Sequence, residues 1–324
     1  VFLYYRFQKQ VQSKKMVRGI SILLAMSYAL SQYNVAQSSN IMWLDGVYML
    51  PLILMGVYMI VQKKSGWKLS VFVGLSILFG WYSGGINCLF SGLWLLFELA
   101  LYLCSEGQKS LSKAIKQICR TLAYYFLSMT AGVLISLIIF WPTVLAMQNS
   151  GRGSLEIGGL KDFSLIGPLP SAIQGYTLGA KSAYGNVSLF CGSLALIGCI
   201  ACFTSKYVCK KIKAVFCMML GGVILLHYWR PFYTIFSLFK SVESYWYRYS
   251  YVGIFTILFL AGYFYSTKLS KQEAKYILDV GLWAGGILIF MDYLIPSQDR
   301  KLTYFTAVFI VLVAFMLYLA LVME

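Results

Sequence analysis

The chain has 324 residues, of which 60% are hydrophobic and only 12% charged, with a mean hydropathy of +0.73 and a formal net charge of +16. A soluble domain carries about a quarter of its residues as charges and cannot hide this much apolar surface in one core. A soluble globular fold is therefore excluded, and the expectation is an all-α, polytopic transmembrane bundle. The basic residues fall in short loops between apolar runs rather than on one soluble face, which excludes nucleic acid as a partner and points to the lipid bilayer.

The first seven residues, VFLYYRF, read like the end of a span and run into Lys9, Lys14, Lys15 and Arg18. With no initiator Met and no signal-peptide pattern, they suggest a chain that lacks its amino-terminal part. Span one is expected at about 17–34 and span two at about 43–61. The segment from Trp67 to Cys104 carries only Lys68 and Glu98 as charges, yet is too long for one helix of about 20 residues at 1.5 Å rise. It must fold back into spans three and four, with Tyr82, Ser83, Gly84 and Gly85 as the turn. Span five is expected at about 121–147, ending in the interfacial pair Trp141 and Pro142.

The longest polar stretch, 148–184, is rich in Gly and Ser and reads as a loop with little regular structure, either a functional lid or disordered. Spans six to ten follow at about 185–204, 214–230, 249–267, 276–295 and 302–322. The loop at 231–248 mixes aromatic and charged residues, which suits a segment lying along the membrane surface. The expectation is a single transmembrane domain over 1–324, with ten complete spans plus the end of one more. If Lys9 to Arg18 is cytoplasmic, nineteen of the 27 Lys and Arg residues fall inside, with at least three in every cytoplasmic segment. The positive-inside rule then sets the orientation. Asp45, the two long loops and His227 come together on the outer face.

Several residues there could carry chemistry. Asp45 sits at the mouth of span two, where a carboxylate either caps the helix or faces a cavity or ligand. Arg230 and Arg248 stand at span ends; the planar guanidinium matches a lipid phosphate, and the alternative is a headgroup-level anchor. Trp43 and Tyr82 lie at similar depth. Arg152, Glu156, Lys161, Asp162, Lys181, Lys240 and Glu243 complete the outer ionisable set. His227, the one histidine, is read as a packed or interface residue rather than a catalyst. Cys199 and Cys202 form a CxxC inside an apolar run, read as small packing residues rather than a redox or metal pair. No cysteine and histidine spacing indicates a metal cage, and no P-loop or dinucleotide glycine pattern implies a cofactor.

The run from Asn40 to Asp45, Pro51 to Gly56, Tyr82 with Gly85, and Tyr247-Arg248-Tyr249-Ser250 together resemble the bacterial YfhO family of membrane proteins. The hairpin departs from that pattern, with Trp81-Tyr82 in place of an Asn-Tyr pair, and the 148–184 loop is poorly matched. The resemblance implies a GT-C-like fold in the bacterial plasma membrane. It also implies an enzyme that moves a sugar from a polyprenyl-phosphate donor to an envelope polymer acceptor such as teichoic acid. Asp45, Trp43, Tyr82, Arg230 and Arg248 would bind substrate. The family's catalytic base would lie in an outer loop before Val1, so the base in this chain is unknown, with Glu156, Asp162 or Glu243 as substitutes. The alternatives are a flippase or permease for a lipid-linked sugar, which would need polar residues at mid-membrane depth on several spans, and a structural partner of an envelope synthesis complex.

Overall fold

The computed structural model describes residues 1–8, 14–105, 111–148, 157–166, 175–178, 187–239, 246–267, 269, 271–295 and 299–323. Among these the regular structure is helical: α1 Phe2–Phe7, α2 Lys14–Ala29, α3 Gln32–Ala36, α4 Ile41–Val61, α5 Trp67–Phe79, α6 Trp81–Ser105 and α7 Leu111–Gln148. After a 3-10 turn at Gly158–Leu160 come α8 Ser193–Thr204, α9 Lys210–Tyr228, α10 Arg230–Phe236, α11 Ser250–Tyr265, α12 Lys271–Leu294 and α13 Arg300–Met323. Six of these, α4, α6, α7, α9, α12 and α13, are long and apolar enough to cross a membrane; α5, α8 and α11 are apolar but shorter.

Helix α7 displays the membrane signature most plainly. Its buried positions are Thr121, Tyr125, Ser128, Gly132 and Ser136, a helical stripe of mostly small and polar residues. Leu127, Leu134 and Ile138 point outward at 72%, 59% and 84% exposure. In water this polarity would be reversed, because burying apolar surface drives the fold; against lipid tails, small residues that let backbones approach carry the packing. The same logic joins α12 to α13, where a Cβ added to Gly281 would sit 2.2 Å from the Ala314 Cβ.

The core is built around α11, which buries all but one of its sixteen residues. Phe255 and Phe259 meet Phe2 of α1 and Trp94 of α6, with the Trp94 and Phe259 centroids 4.9 Å apart. Helix termini sort to two ends of this core. One end gathers Arg6, Tyr58, Lys64, Glu98 and Gln117; the other gathers Tyr33, Trp43, Gly80, Trp229 and Arg248. Arg6 forms a two-pronged pair with Glu98, Nε to Oε1 and Nη2 to Oε2 both at 3.2 Å, and Glu98 is 1% exposed. Glu98 is thus an internal charge partnered by the short first helix.

Two local expectations are corrected. The fold-back between spans three and four is at Gly80, extended with φ −161° and ψ 99°, not at Tyr82 to Gly85, which form the first turns of α6. Gly84 is used for contact instead: a Cβ there would lie 2.9 Å from the Ser76 carbonyl oxygen. The expected span at 185–204 contains only twelve helical residues, because 187–192 run without regular structure and turn through Gly192 at φ +94°. Within the segment expected at the membrane surface, α10 packs one face inward, burying Pro231, Tyr233, Thr234 and Phe236.

Candidate functional site

Helix α4 begins after Asn40, so Trp43 falls in its first turn and Asp45 in its second. A helix-capping carboxylate must stand before or within the first turn to reach free amides. Asp45 is too far inside, and the capping role does not hold. Its Oδ1 accepts a hydrogen bond from the Tyr48 hydroxyl at 2.9 Å. Its Oδ2 faces the α5–α6 break, 3.8 Å from where a Cβ on Gly80 would stand.

Opposite this, the chain returns to the core through a turn at 246–249 before α11. The Arg248 guanidinium lies 4.9 Å from the Trp43 ring centroid and 5.6 Å from that of Tyr82, within hydrogen-bonding reach of the Tyr82 hydroxyl. Three of the five residues singled out in the sequence therefore meet, from three helix ends. A cation held against aromatic rings keeps its charge in a partly apolar setting, and the planar fork of a guanidinium matches the geometry of an anion.

The Arg248 backbone is fixed from below. Its carbonyl accepts a 2.5 Å hydrogen bond from the fully buried Tyr33 hydroxyl, donated from the short helix α3. Tyr33 lies against Tyr251, whose hydroxyl donates to Asn87 Oδ1 at 2.9 Å. Asn87 Nδ2 in turn donates to the Gly46 carbonyl at 3.0 Å and to Ser76 Oγ at 3.3 Å. This buried chain ties α4, α5, α6 and α11 together directly beneath Trp43 and Asp45. Gly46 is required for it: an added Cβ would stand 2.7 Å from the Ser83 Cβ and 2.8 Å from the Tyr251 hydroxyl.

Arg230 occupies a second position. Its Nε is 3.0 Å from Asp162 Oδ2, both groups about half exposed, and its amide donates to the Ser164 carbonyl at 3.1 Å. Leu165 bridges Trp229 in antiparallel fashion and Phe163 lies against the Trp229 ring, so this part of the long loop is docked. Hydrogen bonds from Ser164, reinforced by Arg230, hold the Asp162 carboxyl below the usual carboxylate range. Lys161 is exposed beside it. Tyr233 packs against Trp246, Tyr247 and Tyr249, and burial pushes its hydroxyl up to about 12. Arg152, Glu156, Lys181, Lys240 and Glu243 lie outside the described residues.

His227 is buried, with Nδ1 2.7 Å from the Val223 carbonyl oxygen and its ring 5.1 Å from that of Tyr249, as a packed residue would be. Cys199 and Cys202 are buried free thiols on α8. Tyr33, Asn87, Tyr233 and Tyr251 were missed in the sequence. Asn87 carried the one usable signal, an amide inside an apolar run, which demands buried partners.

No curated protein and no solved structure matches the chain. The family described as bacterial membrane protein YfhO matches it over residues 1–324. The chain therefore belongs to the YfhO family of bacterial membrane proteins.

Proposed function

We propose that this chain is a ten-span, GT-C-like glycosyltransferase of the plasma membrane that moves a sugar from a polyprenyl phosphate to an envelope acceptor such as teichoic acid. The observation that carries the reading is the Arg248 guanidinium seated between Trp43 and Tyr82. In such a reaction the acceptor oxygen attacks the anomeric carbon, and the C–O bond to the lipid phosphate breaks. A base removes the acceptor proton, and a cation stabilises the departing phosphate. Arg248 supplies the cation at the outer headgroup level, Trp43 and Tyr82 hold it in place, and Asp45 orients sugar hydroxyls. Arg230, paired with Asp162, secures the loop over this site.

A flippase needs a polar route across the bilayer. Here the space between the Asn87 network and the Arg6–Glu98 pair is filled by Trp94, Phe97, Phe255 and Phe259, which favours a one-sided site. The test is transfer of label from a polyprenyl-phosphate sugar to envelope polymer by the full-length gene product. Arg248→Ala is expected to lower transfer by about 100-fold or more, the scale of losing one charge-stabilising group, while the protein still inserts. Arg248→Lys, which keeps the charge but not the planar fork, should recover only part. Undiminished transfer by Arg248→Ala refutes the phosphate seat; no transfer from any donor by the unmodified protein refutes the enzyme.

A further inference from the structure

At the opposite, basic end of the molecule, the turn from α4 into α5 and the start of α7 enclose a cavity of about 240 Å³. Its lining includes Lys63, Lys64, Arg120, Gln117, Thr121 and Tyr124. Three cations thus border one cavity, and none of them has a carboxylate partner among the described residues. Lys64 donates to the Tyr5 hydroxyl and Arg120 lies 5.5 Å from the Tyr124 ring centroid, so both chains are held by aromatic groups that leave their charge unneutralised.

The backbone adds an independent sign. Helix α4 closes with the Lys64 amide bonded to the Met59 carbonyl and the Lys63 amide to that of Ile60, a helix-ending pair of bonds that places residue 63 in the left-handed region. Glycine is the usual occupant there, yet Lys63 adopts φ 60°. A side chain kept at a backbone position that disfavours it is a reason to look for a use of that side chain.

The surroundings identify the occupant. Tyr124 begins an outward stripe on α7 that continues through Leu127, Leu134, Ile138 and Trp141, each between 49% and 84% exposed. This stripe faces lipid, so the cavity opens sideways at headgroup depth rather than into water alone. We infer that Lys63, Lys64 and Arg120 form a binding site for the phosphate of an anionic phospholipid in the leaflet at the basic end, with an acyl chain lying along α7. Basic pockets between membrane helices suit such headgroups, and Gln117 and Thr121 supply neutral polar contacts.

The test uses the purified full chain in a neutral detergent. Phosphatidylglycerol, phosphatidylcholine and inorganic phosphate are each titrated, bound lipid is counted by native mass spectrometry, and the thermal unfolding midpoint is read in parallel. Phosphatidylglycerol is expected to bind and raise the midpoint, with phosphatidylcholine and phosphate at least tenfold weaker. A Lys63→Gly/Arg120→Gln variant should lose at least tenfold in apparent affinity, while Lys210→Gln/Lys211→Gln, on the same face but away from the cavity, should not. Lys63→Gly alone should be as stable as the parent or more so without lipid, which separates loss of the site from loss of the fold. Equal loss in both double variants makes the effect diffuse charge and overturns the site. Equal response to phosphatidylcholine overturns the role of the charge, and equal response to inorganic phosphate overturns the lipid as occupant.

Discussion

Replacing Glu98 by Ala removes the only carboxylate bonded to Arg6 among the described residues; the Arg6 side chain is 11% exposed and its guanidinium lies 4.8 Å from the Tyr58 ring centroid. The lost partner leaves a charge in an apolar setting, which in buried pairs costs about 3–5 kcal/mol. The cation–π contacts with Tyr58, Phe7 and Phe259 remain, but contribute only about 0.5–2 kcal/mol and cannot compensate. At about 2–4 °C per kcal/mol for a large domain, a fall of roughly 6–20 °C in the unfolding midpoint is expected. The measurement is thermal unfolding of the purified protein in detergent. A second variant, Arg6→Met with Glu98→Leu, tests the cause: replacing both members of a buried pair by apolar groups is often neutral or stabilising, so the double variant should recover most of the loss. A single variant with an unchanged midpoint, or a double variant as unstable as the single, would refute an uncompensated charge as the origin. The pair matters to the fold because it anchors α1 beside α4 and α6, and α1 in turn places Phe2 and Phe7 against α11.

Three further outcomes are expected at the other end. Gly46→Ala should overpack the contact of α4 with Ser83 and Tyr251 at a cost of about 1–3 kcal/mol, and, on the proposed function, should weaken transfer of the labelled sugar by moving Trp43 away from Arg248. Removing the Tyr251 hydroxyl with Phe leaves the buried Asn87 carbonyl oxygen without its donor, for a loss of about 1–3 kcal/mol read in the same unfolding assay. The Asp162 carboxyl is held below its ordinary value, so its contribution to docking the loop is complete above the ordinary carboxylate range and is lost as pH falls through its folded-state value. Trp229 emission should therefore shift on acidification below about pH 4, and the shift should be absent in Asp162→Asn.

Much of the helical plan was legible in the sequence because lipid imposes a simple rule: a spanning segment must satisfy its backbone internally and show apolar side chains outward. The ends of α4, α9, α11, α12 and α13 fall within a few residues of the expected spans. Errors arose where small residues had two possible uses. Gly84 and Gly85 signal a turn and a close contact alike, and only the neighbouring Ser76 and Leu238 decide for contact. Asp45 likewise suited a cap, and only the start of α4 at Ile41 moved it out of reach of the free amides.

Composition and charge alone determined that this chain is helical and embedded in a membrane, because 60% hydrophobic residues with basic loops admit no soluble core. The same sequence offered Arg230 and Arg248 as equals. Tertiary structure separated them, sending Arg230 to Asp162 and Arg248 to Trp43 and Tyr82. That choice depends on contacts between residues 43, 82 and 248, which lie far apart in the chain and meet only because α4, α6 and α11 pack around one aromatic core. Periodicity reports which face of a helix is apolar; it carries no information about which distant helix end lies beside it.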